Sequence, residues 1–134
     1  MRFWSRKTLR RKCSTLSANT GFSSAHVREM GRRFDAGFAR LKDKYPDLVA
    51  GWRRRGLMMG FELTNDTLGP MMTYALGHHG ILAIFADFRP STLQVMPPLI
   101  IQPDEVQEVL AGFDHALGMV REMVARGVPA PAIR

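Results

Sequence analysis

The run Thr92-Leu93-Gln94-Val95-Met96 ends in Pro97-Pro98, and a few residues later Gln102-Pro103-Asp104-Glu105 opens a long amphipathic stretch. Proline has no backbone N–H and a fixed φ, so an interior strand cannot run past Met96. Proline near the first helical position costs no hydrogen bond, and two acids in the first turn complement the helix dipole. This part of the chain is therefore committed to a strand, a rigid break and a helix in close succession.

The rest can be read by its periodicity. Val27, Met30, Phe34, Phe38, Leu41 and Tyr45 recur at three or four residues, which predicts an amphipathic helix from Ser24, capped by Ser23 or Ser24 and ended by Pro46. Leu48 to Leu63 reads as two strands or a bulged hairpin, interrupted at Arg53-Arg54-Arg55-Gly56, with Thr64-Asn65-Asp66 as a turn. Pro70 to His79 is expected as a short helix closed by Gly80. Ile81 to Phe85 is expected as a strand, Asp87 to Ser91 as a loop, and Leu93 to Met96 as another strand. Val106, Leu110, Phe113, Leu117, Val120 and Val124 predict a final helix from Asp104 to Arg126, stopped by Gly127, Val128 and Pro129. This order implies an α+β fold in which a small, mostly antiparallel sheet is covered by helices.

A chain of 134 residues with a formal charge of +7 first suggests a nucleic-acid or anionic-membrane partner. The distribution argues otherwise. Arg2, Arg6, Lys7, Arg10, Arg11 and Lys12 are six of the 19 bases, and no acid stands among them. The remainder holds 13 bases against 12 acids, or +1. Residues 1–23 thus read as a basic arm, either non-native sequence ahead of the domain or an organelle transit peptide. The domain is expected over residues 24–127 and a tail over 128–134. Cys13, the only cysteine, cannot form an internal disulfide. No secretory signal or membrane-length apolar segment is present, so a cytoplasmic location is expected, with organelle import as the alternative.

Two motifs carry a resemblance. Trp52-Arg53-Arg54-Arg55-Gly56-Leu57-Met58-Met59-Gly60-Phe61-Glu62-Leu63, followed by Gln94-Val95-Met96-Pro97-Pro98-Leu99, resembles the C-terminal small domain of class III aminotransferases, in order and spacing, from about Ser24 to Gly127. These are fold type I enzymes that use pyridoxal 5'-phosphate. The resemblance implies a parent enzyme that moves an amino group between an amine or amino acid and a keto acid or aldehyde. It also implies that the Schiff-base lysine belongs to a large domain upstream. None of Lys7, Lys12, Lys42 and Lys44 matches that lysine, so no catalytic or cofactor-binding residue is assigned and the chain alone is expected to be inactive. The expected partner is an aminotransferase large domain or an intact homologous subunit. The other reading is a non-catalytic regulatory module, or a vestigial product, that pairs with such a subunit.

Within that frame Gln94 is the first candidate for substrate contact, because many relatives carry a carboxylate-binding arginine there. Glutamine donates a hydrogen bond but brings no charge. Arg89, five residues earlier, is a candidate to replace the missing cation. Arg54 stands where the family has a glycine, so strain is expected if that glycine served a positive φ. Arg53, Arg54 and Arg55 together suggest an anion site, against packing and domain-interface roles for Arg53 and Arg55. His78-His79 lacks a second ligand cluster and reads as a solvated helix end rather than a metal site. The nine methionines read as core filler. Nucleic-acid binding is expected only through the arm.

Overall fold

The computed structural model describes residues 23–130. Expectations for the basic arm, Cys13, Lys7 and Lys12 lie outside those residues. The described chain has three helices and a four-stranded antiparallel sheet. Helix α1 is Ser24–Lys44, β1 is Val49–Arg55, β2 is Met58–Leu63, α2 is Leu68–His78, β3 is Ile84–Ala86, β4 is Arg89–Val95 and α3 is Pro103–Ala125. The sheet order is β1-β2-β4-β3. The expected α+β class is observed.

Local chemistry accounts for the boundaries. Ser23 caps α1, its hydroxyl accepting the His26 N–H at 3.1 Å. The Glu105 carboxylate accepts the Gln102 N–H at 2.8 Å at the start of α3. Pro70 lies in the first turn of α2, where its missing donor leaves nothing unpaired, so the helix starts two residues earlier than expected. Gly80, at φ +72°, closes that helix, with the Ile81 N–H donating to the Leu76 carbonyl at 2.9 Å. A two-residue turn with Gly56 at φ +63° joins β1 to β2, and the register shifts between Val49 and Gly51.

Two expectations require correction. The strand placed at Ile81–Phe85 pairs only over Ile84–Ala86. Ile81 is spent on α3 instead, packed so tightly over Gly112 that a Cβ there would lie 2.1 Å from Ile81 Cδ1. The loop placed at Asp87–Ser91 shrinks to a turn at Asp87-Phe88, because a register shift lets Ala86 pair with Arg89 and start β4 there.

The core lies between the helices and one face of the sheet. Phe38 of α1 is fully buried, with ring centroids 4.9 Å from Phe61 of β2 and 5.7 Å from Phe113 of α3. Met59, Phe61, Leu63, Leu93 and Val95 supply the sheet's share of this core. Alternation along each strand sends the intervening residues to the other face. There Met58 and Met96 are 63% and 60% exposed, and Ile84 is 55% exposed.

Candidate functional site

The candidate site is this second, open face of the sheet. Residues directly opposite one another in an antiparallel pair share a face, so the register assigns its contents. Arg53 pairs with Gly60, Gly60 with Gln94, and Gln94 with Ile84. One rung therefore crosses all four strands as Arg53, Gly60, Gln94 and Ile84. The next rung places Gly51, Glu62 and Thr92 side by side. Gln94 is exposed, and its two pairing partners belong to this face.

Alternation also separates the three arginines. Arg53 and Arg55 share the open face, while Arg54 turns the other way. The Arg54 guanidinium reaches Asp35 of α1, donating from Nε at 2.8 Å and from Nη2 at 2.7 Å. Trp52 Nε1 donates to the same carboxylate at 3.0 Å. The guanidinium lies against Gly31, where a Cβ would come 2.5 Å from Arg54 Nη1. The three arginines thus do not converge on one anion. Nor is Arg54 strained: positive φ among the described residues is confined to Gly56, Gly80 and Gly127, so the residue at position 54 adopts ordinary strand geometry.

Arg53 makes a diagonal cross-strand ion pair with Glu62, Nε to Oε1 at 2.5 Å, and its side chain is still 69% exposed. Arg55 is exposed and has no ion-pair partner among the described residues. Arg89 pairs with Ala86 at the start of β4. Five strand residues put it on the order of 15 Å from Gln94, so the structure does not bring the two together. The sequence did not announce that Arg53 shares a rung with Gln94, across Gly60. Its one local trace is Gly60, an isolated glycine within a strand pattern, which marks close approach over the backbone.

The other polar clusters hold the fold together. The Asp35 carboxyl is lowered from its ordinary value, first by the Arg54 hydrogen bond. Asp114 is lowered by its hydrogen bond from Lys44, at 2.8 Å, and also accepts the Tyr45 hydroxyl at 2.9 Å. His79 stacks on His115 with centroids 5.3 Å apart, beside an open depression that Lys44 and Glu122 also line. No group of three or more metal-ligating side chains is found among the described residues. None of their helices is long and apolar enough to cross a membrane.

Neither described lysine fits a cofactor site. Lys42 is exposed on α1, and the Lys44 ammonium is held by Asp114. Pyridoxal phosphate needs a lysine nitrogen free to attack a carbonyl and groups that enclose the ring and phosphate, which these surroundings do not provide.

Comparison with known proteins identifies the family. The model for class III aminotransferases matches residues 17–117. The chain belongs to the class III aminotransferase family. The match begins at Ser17, within the stretch read from the sequence as the arm. An uncharacterized aminotransferase of Archaeoglobus fulgidus is 35% identical over 102 residues, covering 74% of this chain and 24% of that protein. The acetylornithine aminotransferase of Gloeobacter violaceus is 35% identical over 99 residues, with the same coverage of 74% and 24%. Among solved structures, the N-acetylornithine aminotransferase of Stenotrophomonas maltophilia superposes with a TM-score of 0.65 at 28% identity, covering 73% of this chain and 27% of that one. The chain spans about a quarter of the length of the class III relatives it matches.

Proposed function

We propose that this chain is the C-terminal small domain of a class III, pyridoxal-phosphate-dependent transaminase, and that it works only when joined by a large domain carrying the Schiff-base lysine. The supporting observation is a self-contained helical core set beside an open sheet face. The chain builds its own hydrophobic interior yet leaves Met58, Met96, Gln94 and Arg53 uncovered on one side. A closed transaminase cleft needs a second wall, and this face is the one available to form it. Gln94 stands on the middle rung, where it can donate a hydrogen bond to a substrate oxygen. Arg89 lies further along the same strand, toward the rim. The partner is an aminotransferase large domain or an intact homologous subunit, and the substrates are an amine or amino acid with a keto acid or aldehyde. A cytoplasmic location belongs to the same proposal.

Reduction with borohydride tests this reading. The full chain, incubated with pyridoxal phosphate, reduced and mapped by peptide mass, is expected to show scattered, substoichiometric labelling of surface lysines. A single lysine labelled one-to-one would overturn it. Mixing the chain with a class III large domain expressed alone is expected to restore transamination that neither piece shows. Binding to an intact subunit without any gain in activity would instead favour a regulatory module.

A further inference from the structure

We propose that His79 and His115 form a two-histidine site for a zinc-class transition-metal ion, which ties the end of α2 to α3. The site belongs to the helical side of the molecule and is independent of the transaminase reading. The two residues are 36 positions apart in sequence, and packing brings them together. Gly112 lacks a side chain, so Ile81 seats against α3 there, and the same close approach holds His79 Cβ 4.0 Å from where a Cβ on Gly112 would stand. His115 follows Gly112 by three residues, one turn further along that face of α3. The two rings end with centroids 5.3 Å apart and planes inclined at 30°.

That spacing suits one ion. A ring nitrogen lies about 2.0–2.1 Å from zinc and about 1.2 Å from its own ring centre, so two imidazoles at the tetrahedral angle have centres about 5.2 Å apart. Both histidines are exposed and border an open depression of about 520 Å³, which leaves room for water to complete the coordination. The charge around the depression favours a cation. The Lys44 ammonium on its rim is already held by Asp114 at 2.8 Å. Glu122, also on the rim, brings a carboxylate whose pairing with Arg126 is loose and exposed, at 3.8 Å. It stands two turns from His115, about 10 Å along the helix, which makes it an attracting charge rather than a third ligand. No third ligating side chain joins the pair among the described residues. The negative end of the α2 dipole lies at His79 and acts in the same direction. Imidazole suits zinc, copper and nickel, whereas magnesium and calcium prefer oxygen. With two protein ligands and water, the ion is a reversible clamp, unlike the closed four-ligand cage of a structural zinc site.

The test uses the full, untagged chain in a non-coordinating buffer near neutral pH. Zinc chloride is titrated by calorimetry and by thermal melting, with magnesium chloride as the control. One saturable zinc per chain that depends on both histidines is expected, with a rise in melting temperature of several degrees that a chelator reverses and magnesium does not produce. His79→Gln and His115→Gln, each alone, should weaken zinc binding by about tenfold or more, at least the loss seen when a ligand's supporting partner is removed. Each should also abolish the rise in melting temperature, while His78→Gln leaves both readouts unchanged. In the unaltered chain, zinc should shift the ring resonances of His79 and His115 together along one saturation curve, a readout that needs no variant. A melting rise that survives either substitution, equal effects of zinc and magnesium, ring shifts at only one of the two histidines, or dependence on His78 in place of His79 would each overturn the site.

Discussion

Thr92 carries a buried hydroxyl with no hydrogen-bond partner among the described residues. Its methyl, by contrast, fills the space beside Gly60. An orphaned buried hydroxyl forfeits its hydration without gaining a protein bond. Valine keeps both branches at Cβ and suits a strand. Thr92→Val is therefore expected to stabilise the domain by about 1 kcal/mol in urea unfolding, with the slope unchanged. A loss of stability would mean that the hydroxyl is satisfied. Gln94 shows the opposite economy: exposed on the same strand, it has little to do with stability, which leaves its role to be read by ligand titration.

At the level of elements, the Asp35 carboxylate pins α1 to β1 by accepting from both Arg54 and Trp52. Its pKa in the folded state is lowered, chiefly by the Arg54 hydrogen bond. The sign follows from linkage. A carboxyl with a depressed folded pKa contributes stability that is complete above its unfolded value of about 3.9 and is lost as pH falls through the lowered one. Asp35→Asn is expected to cost about 1–2 kcal/mol at neutral pH, since a charge-assisted fork becomes a neutral contact beside a half-buried guanidinium. The difference from the parent chain should shrink as pH drops below about 4 and vanish at the most acidic end. Thermal melts of both proteins from pH 7 to pH 2 measure it. A difference that stayed constant with pH would show that packing, rather than charge, is what Asp35 contributes. Asp114, Asp47 and Glu29 are also lowered by basic neighbours, so the comparison between variants matters more than either curve alone.

For the whole molecule, the charge arithmetic makes a separate prediction. Removing residues 1–22 deletes six bases and no acid, leaving +1 on what remains. The truncated chain is expected to elute from heparin near the start of a salt gradient, while the full chain is retained. The truncated chain should keep the far-UV signature of the helices and sheet of residues 24–125, which the deletion leaves intact. Retention of the truncated form with a steep salt dependence would place an anion-binding surface on the domain itself.

What the sequence determined by itself was whatever depends on neighbours along the chain. The Ser23 cap, the break at Pro97-Pro98, the acid-first opening of α3 and the apolar faces of α1 and α3 are set by spacing and local hydrogen bonding, and each was legible. The family resemblance was legible for the same reason, since its motifs are short and contiguous. Tertiary structure decided the rest. Ile81 has the composition of a strand residue, but its burial against Gly112 of α3 removes it from the sheet. Arg54 occupies a place where strain was expected, and a partner on α1 that no local pattern announces gives it an ordinary role. Above all, the rung that sets Arg53 and Gln94 on either side of Gly60 depends on which strands pair and in what register, and in this sheet β4 inserts between β2 and β3. Such pairing is chosen by burial of Phe61, Leu93 and Val95 against helices far away in sequence, a collective outcome that no short window of residues encodes.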